Sequence, residues 1–447
     1  MREWNTRRPR LVPVTLTVLV ATVCVLPTVL TGVGAAEGDL PLAAPESVGM
    51  SADRLQRIST YFQEYIDTDQ IAGAVTLVAR KGKVVHYEAQ GWRHKEANLP
   101  MTHDTIFALA SMTKPIVSTA LMMLFEEGRF RLDDPISNWL PEYMDHQVRI
   151  TGGVRARVVP EARPVTVRHV LTHTSGLTLN PAGRGLTQEQ IDYATNHGNG
   201  FDTLREHVEH AAVIPGTFHP GDEWQYGDST NYVATLVEQI SGMSINDFLQ
   251  SRIFEPLGMV DTHYYVPRGK VERVAAVYRP NNQGAIELAR PPAFVEPTEY
   301  FRGTGGLNST AADYFRFAQM IAGGGELDGV RLLGRMTVNN MITSHIGTGK
   351  PVYVRGPGYG FGLGFGVLTN PAETVDALSI GSYTWGGAFG TLYWADPAED
   401  LIGIMMIQIR PYGHFNIRPM FSNVVTQAVV DSLADQRPTI MGYATPH

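Results

Sequence analysis

Ser111–Met112–Thr113–Lys114 places a hydroxyl and an amine three residues apart at the head of an apolar helical run. Residues i and i+3 share a helix face, so the two groups can meet. A serine hydroxyl is a poor nucleophile until something takes its proton, and an amine in an apolar surround can do so, with the helix N-terminus favouring the negative charge that develops. The chain holds only six lysines (Lys81, Lys83, Lys95, Lys114, Lys270 and Lys350), and arginine does not give up its proton. Lys114 is followed by Ile116, Val117, Ala120, Leu121, Met122, Met123 and Leu124. A helix-capping serine with a solvated lysine is the plain alternative, and that apolar surround argues against it.

Two further stretches bear on the same chemistry. Pro220–Gly221–Asp222–Glu223–Trp224–Gln225–Tyr226 sets a tyrosine on a loop ahead of an apolar helix around Tyr232 to Ile240. A phenol beside an ammonium loses its proton more readily and can pass it on, although Tyr226 taken alone reads as a packing aromatic. Tyr383–Thr384–Trp385–Gly386–Gly387–Ala388–Phe389–Gly390 opens a strand with glycines, which let a substrate lie against bare backbone and let a strand-edge N–H face an oxyanion. Alone, it would read as a glycine-rich turn.

In that order, S-x-x-K, then Tyr after Pro-Gly-x-x-Trp, then a Gly-Gly strand, the chain resembles the serine β-lactamase and penicillin-binding-protein superfamily. It is most like the class C β-lactamase-like branch and the family VIII carboxylesterases. Leu171–Thr172–His173–Thr174–Ser175–Gly176–Leu177, Pro256–Leu257–Gly258–Met259, and Gly305–Gly306–Leu307 with Ser309 add to the likeness, which runs from about residue 47 to 433. The resemblance implies that Ser111 is acylated, that Lys114 and Tyr226 share the acid–base work, and that the N–H groups of Ser111 and Ala388 form the oxyanion hole. It also implies substrate contacts from Asp228, Trp385, Gly386 and Gly387, and no cofactor.

Two positions depart from the family's pattern. Trp385 stands where a lysine or histidine usually opens the third motif, as it often does in the esterases. Tyr226–Gly227–Asp228 stands where Tyr-x-Asn is usual, which brings an acceptor to the place of an amide donor. Both weaken recognition of penicillin-type substrates, whose carboxylate pairs with the lysine, unless an arginine such as Arg302, Arg355 or Arg410 restores the charge. The expected activity is therefore hydrolysis of small or short-chain carboxylic esters. The alternatives are a D-Ala-D-Ala carboxypeptidase, a D-aminopeptidase or a weak β-lactamase, and, from another class, a catalytically inactive cell-envelope binding protein.

Other candidates are weaker. His173 reads as a structural histidine held away from the nucleophile. His207 and His210 share a helix face that is expected to be polar, and no third metal ligand stands at sensible spacing.

The elements that must position these groups follow from the apolar pattern. Ser51 caps an amphipathic helix to about Ile66, and Gly73 to Arg80 and Val84 to Gln90 form a hairpin. Ser111 to Glu127 is a helix. Ser244 with Asp247 and Thr310 with Asp313 are capping boxes, opening helices to about Phe254 and to Gly323. Strands are expected at Phe361 to Leu368, Ala388 to Trp394 and Leu401 to Ile409, with a closing helix from about Phe421 to Leu433. Strands at both ends with helices between them predict an α/β (α+β) fold: one antiparallel sheet assembled from both chain ends, flanked by helices, with an inserted, mainly helical lobe. The division is residues 47–110 and 300–433 for the sheet lobe and 111–299 for the helical lobe, with 434–447 as a tail.

The 447 residues carry a net charge of −8 and no basic stripe with interleaved aromatics, which excludes a nucleic-acid partner. Residues 1–36, with Arg2, Arg7, Arg8 and Arg10 before an apolar run from Leu11 to Leu30 and small residues after it, read as a signal peptide or an N-terminal anchor. Cleavage would export the enzyme and remove Cys24, the one cysteine, so that neither a disulfide nor a thiol nucleophile is available.

Overall fold

The protein is described by a computed structural model covering residues 40–150, 157–177, 200–347, 349–413 and 416–432. The expected leader, residues 1–36, and the tail, residues 434–447, lie outside the described residues, as does the final residue of the expected closing helix. Among the described residues no helix is long and apolar enough to cross a membrane.

Eight strands, numbered in chain order, form the main sheet. They are β1 (Gly73–Arg80), β2 (Lys83–His94), β3 (Leu99–Pro100), β4 (Tyr359–Phe361), β5 (Gly366–Leu368), β6 (Tyr383–Gly386), β7 (Leu392–Asp396) and β8 (Leu401–Met406). Their order across the sheet is β4-β5-β6-β7-β8-β1-β2-β3, antiparallel throughout. The two chain ends meet at β8 and β1, in a register running from Val75 opposite Met406 to Arg80 opposite Leu401.

Helices cover both faces, as the alternation of side chains along β7 shows. Trp394 packs on Phe421 of the closing helix α5 (Ile417–Thr426), and Phe421 packs edge-on against Phe62 of α1 (Ala52–Asp67). Its neighbour Tyr393 turns the other way, onto Tyr314 of α4 (Ala311–Ala322), with 5.0 Å between the rings. Gly403, opposite Trp394 in the register, has no room for a side chain, since a Cβ there would come within 2.4 Å of the indole. Between the two runs of strands lie α2 (Thr113–Glu126) and α3 (Ser229–Ser241), packed on each other. The described residues past residue 34 belong to one compact unit.

The first helix and the hairpin match the sequence pattern: Ser51 caps α1 by accepting from the Arg54 N–H, and Lys81 and Gly82 turn between β1 and β2 with positive φ. Several elements differ, for local reasons. The run from Phe361 to Leu368 is two strands, because the Gly362 N–H donates to Phe365 O and closes a turn inside it. Ala388 to Thr391 form a turn rather than strand, and the last strand stops at Met406. The closing helix begins earlier, at Ile417. The helix after Ser111 starts at Thr113, behind a 3₁₀ turn spanning Ala110–Met112.

Neither expected capping box is reciprocal. Ser244 and Thr310 each accept from the backbone N–H three residues on. The Asp313 carboxylate instead accepts from Thr262 Oγ1 and the Asp261 N–H, and Asp247 accepts from the Asn246 side chain. Short pairings absent from the pattern also occur, notably Val277–Pro280 with Ile286–Arg290, and Phe107–Ala108 with Asn308–Ser309.

Candidate active site

Ser111 sits in the 3₁₀ turn that feeds α2, and the residue before it is under backbone strain. Ala110 has φ of 46°, a left-handed conformation that costs a non-glycine residue about 1 kcal/mol or more and that clusters at functional sites. The surroundings hold it there. The Leu109 N–H donates to Leu307 O at 2.9 Å, and Gln408 brackets Ala108, donating to its carbonyl at 3.1 Å and accepting from its N–H at 3.3 Å. From α4, the Tyr314 hydroxyl donates to Met112 O at 3.1 Å. Pro115 falls in the first turn of α2, where its missing N–H costs nothing.

Lys114 lies one turn on and is 3% exposed. Its Nζ donates to Ser111 Oγ at 3.3 Å and to the Thr304 carbonyl at 2.7 Å, and stands 4.8 Å from the centre of the Tyr226 ring. Thr304 is itself placed by its N–H, which donates to Asn231 Oδ1 on α3 at 3.1 Å. Among the described residues no carboxylate pairs with this amine. A buried amine whose partners are a hydroxyl and a carbonyl is placed to exchange a proton with that hydroxyl.

Tyr226 is half-buried. Its N–H donates to the Tyr353 hydroxyl at 3.0 Å, and its ring is walled in by His173 at 5.0 Å, Trp385 at 5.4 Å and Trp224 at 6.2 Å. His173 is therefore a neighbour of this site rather than remote from it. Burial first, and the charge of Lys114 second, hold its imidazole well below the ordinary histidine range, so it packs there neutral.

These groups open on a cavity of about 610 Å³, lined among others by Ser111, Lys114, Tyr226, Asp228 and Ala388. Ala388 lies in the turn between β6 and β7. In that turn the Gly387 N–H donates to Thr391 O and the Gly390 N–H to Gly387 O, while the Ala388 N–H has no acceptor among the described residues. The turn presses against the segment that leads to Ser111. A Cβ on Gly387 would come within 2.1 Å of Leu109 O, and Thr391 Oγ1 donates to the same carbonyl at 3.3 Å.

Beneath the turn lies Arg418 of α5, which donates to Gly387 O, to Thr391 O at 2.7 Å and to the Tyr412 hydroxyl. Burial pushes its pKa down to about 10, opposed by Tyr412, so it stays charged at neutral pH.

Three residues expected to touch substrate take other places. Trp385, Gly386 and Gly387 are not among the residues that line the cavity. The Trp385 indole is 2% exposed, set behind Tyr226 and against Phe361, with no partner for its N–H among the described residues. Gly386 faces the Arg418 guanidinium, 2.8 Å from where a Cβ would lie. Of the arginines considered, Arg302 and Arg410 line the cavity, whereas Arg355 is partly buried and paired with Asp376 at 3.1 Å.

His207 is not on a polar face either. It is buried, lines the cavity and shares a 2.6 Å hydrogen bond with the Tyr300 hydroxyl. Burial depresses its pKa, with Asp228 pulling it up and Arg302 and His210 pushing it down. The 3.6-residue period of Leu204, His207, Val208 and Ala211, all buried, was the available signal for that face. Nothing local in the sequence marks Gln408, Asn231 or Arg418.

This sheet, with a serine and a buried lysine at the mouth of a cavity, defines a serine hydrolase, and the comparisons with known proteins agree. The beta-lactamase family model matches residues 58–421, and the chain belongs to that family. Protein Rv1367c of Mycobacterium tuberculosis is 34% identical over 363 residues, which cover 78% of this chain and 88% of that one. Esterase EstB of Burkholderia gladioli is 29% identical over 375 residues, covering 80% and 91%. Among solved structures, EstCE1, described as a hydrolase with promiscuous acyltransferase activity, superposes with a TM-score of 0.70 at 25% identity, covering 85% of this chain and 98% of its own.

Proposed function

We propose that the protein hydrolyses small carboxylic esters through an acyl-enzyme on Ser111. The observation that carries this is the buried Lys114 amine, 3.3 Å from Ser111 Oγ with no carboxylate partner among the described residues, at the wall of a 610 Å³ cavity. In the first step Lys114, acting as the uncharged amine, takes the Ser111 hydroxyl proton as Oγ bonds to the ester carbonyl carbon. The oxyanion that forms is met by the N–H groups of Ser111 and Ala388. The carbon–oxygen bond to the alcohol then breaks, and the proton leaves with that alcohol by way of Lys114 and Tyr226. Water repeats the sequence on the acyl-serine, releasing the acid and restoring the hydroxyl.

Ester rather than β-lactam substrates are supported by the esterase names among the relatives. We also read residues 1–36 as an export signal, on their arginines and apolar run alone.

The test is covalent labelling with a fluorophosphonate, located by mass spectrometry, with turnover of 4-nitrophenyl butyrate and a penicillin measured on the same preparation. An adduct on Ser111 and ester turnover lost in Ser111→Ala are expected. Absence of any adduct would instead mark an inactive binding protein on this fold, and a penicillin turned over better than the ester would remove the esterase reading.

A further inference from the structure

The cavity wall carries charge of the sign opposite to the chain as a whole. The protein is net −8, yet among the described residues the wall holds four basic side chains, Lys114, Arg290, Arg302 and Arg410, and one acidic, Asp228. Lys114 is occupied with Ser111 and Thr304. The three arginines are exposed, and among the described residues none forms an ion pair or a side-chain hydrogen bond. Other arginines of this chain behave differently: Arg80, Arg273, Arg355 and Arg418 are each tied to carboxylates, hydroxyls or carbonyls. Three uncompensated guanidinium groups around one concave site raise the local concentration of anions.

Their placement bears on the reacting centre. The Arg290 guanidinium lies over the Phe389 ring at 5.7 Å, and Arg410 follows Ile409, whose N–H donates to Phe389 O at 2.9 Å. Both therefore stand beside the residue next to Ala388. The field of Arg302 reaches His207, where it adds to the lowering by burial, and Tyr264, where it opposes the raising by burial. The wall near them is apolar, with Pro291, Pro292 and Val295. None of the three occupies the position of Trp385.

We propose, resting on the ester-hydrolase reading above, that the substrate is an ester carrying a carboxylate away from the scissile bond, drawn in and held by Arg290, Arg302 and Arg410. A guanidinium fork matches a carboxylate with two parallel hydrogen bonds, and a single negative charge avoids the added repulsion that a dianion would meet from Asp228. The carboxylate belongs to either the acid half or the alcohol half of the ester, and matched substrates separate the two.

For the alcohol half the pair is 4-acetoxybenzoate and its methyl ester. For the acid half it is mono-4-nitrophenyl adipate and 4-nitrophenyl hexanoate. In at least one pair the ratio of kcat/KM, anionic over neutral, is expected to fall about tenfold in each of Arg290→Gln, Arg302→Gln and Arg410→Gln, tenfold being 1.4 kcal/mol. It is also expected to fall as salt rises from about 0.05 to about 0.5 M, since exposed charges are screened.

The same ligands are titrated calorimetrically into Ser111→Ala, where binding is read without turnover. Arginine-dependent binding of the anion there, with no ester hydrolysed by the unmodified enzyme, would remove the hydrolase reading and leave the anion site. Ester turnover with ratios unmoved by all three substitutions and by salt would overturn the anion site and leave the hydrolase. Tighter arginine-dependent binding of 4-hydroxyphenyl phosphate than of 4-hydroxybenzoate would overturn the choice of carboxylate.

Discussion

Replacing Arg418 with methionine tests whether the turn holding Ala388 is positioned from the far side of the sheet. Methionine keeps much of the side-chain volume and removes every donor. Two charge-assisted hydrogen bonds to turn carbonyls are lost, to Gly387 O and to Thr391 O, and the contact to Gly390 O at 3.5 Å counts for nothing. At about 1.5–3 kcal/mol each, these two bonds make a gross loss of about 3–6 kcal/mol, and the bond to the Tyr412 hydroxyl goes with them. Both carbonyls keep a backbone donor, from the Gly390 and Gly387 N–H groups, and a buried charge is removed as well. The net loss of stability is therefore about 2–3 kcal/mol, which leaves a folded enzyme.

The effect on catalysis is separate. A deleted oxyanion donor costs about 10²–10³ in kcat, and a donor that is loosened rather than removed costs about 10–100. A ground-state ester hardly uses that donor, so KM stays near its original value. Arg418→Lys, a point charge that cannot serve two carbonyls at once, falls between the two. Steady-state kinetics on 4-nitrophenyl butyrate with a parallel thermal melt give the readout. A folded Arg418→Met enzyme with unchanged kcat, or a loss confined to KM, would refute a positioning role.

Ser111→Ala is expected to abolish turnover with the melting curve unchanged. Lys114→Ala and Tyr226→Phe should each lower kcat by about 10²-fold or more, and their double variant by less than the product, because groups acting as a unit are not additive. Near-normal kcat in Lys114→Ala would assign the base elsewhere. Gly387→Ala should cost both stability and kcat, since its Cβ would meet Leu109 O at 2.1 Å and Thr391 Oγ1 at 2.3 Å, and melts with kinetics on one preparation show whether both fall.

Acid should destabilise the fold through buried neutral histidines. Burial lowers the His86 pKa from 6.5 to about 4, against the pull of Glu88, while its Nε2 shares a 2.7 Å hydrogen bond with Thr76. The unfolded chain takes up a proton below 6.5 that the folded chain refuses, so this contribution is complete above 6.5 and is lost as pH falls toward 4. By about pH 5 the loss is about 2 kcal/mol, and urea melts of His86→Gln against the unmodified protein should show a shallower pH slope.

The sequence pattern carried the parts of the fold in which local signals agree. Ser51, the period of Leu55, Ile58 and Phe62, and the Lys81–Gly82 turn each fix an element within a few residues, and the assignment of strands to both chain ends was enough to predict the sheet. The strand expected from Phe361 to Leu368 broke because apolar residues continue through its turn, so hydrophobicity conceals what the Gly362 hydrogen bond does. At the site, Ser111, Lys114 and Tyr226 were visible as motifs and lie around one cavity. The strain at Ala110, the clamp by Gln408 and the support from Arg418 were not visible, because each depends on residues brought together from distant parts of the chain. Trp385 shows the converse: its motif position suggested a substrate contact, yet a side chain that large is buried between Phe361 and Tyr226.

The seam between β1 and β8 imposes an order of events on biosynthesis. All eight residues of β1 are buried, and its partner on one side is the last strand of the sheet to be made. A ribosome therefore releases β1 and β2 long before residues 401–406 exist, and one edge of an apolar hairpin stays open through most of translation. Long-range pairing of this kind is slow and leaves a bare strand edge able to pair with other chains. Chains that stall or are truncated before Leu401 should therefore be selectively insoluble, and the yield of active enzyme should depend on how quickly the last tenth of the chain follows the rest.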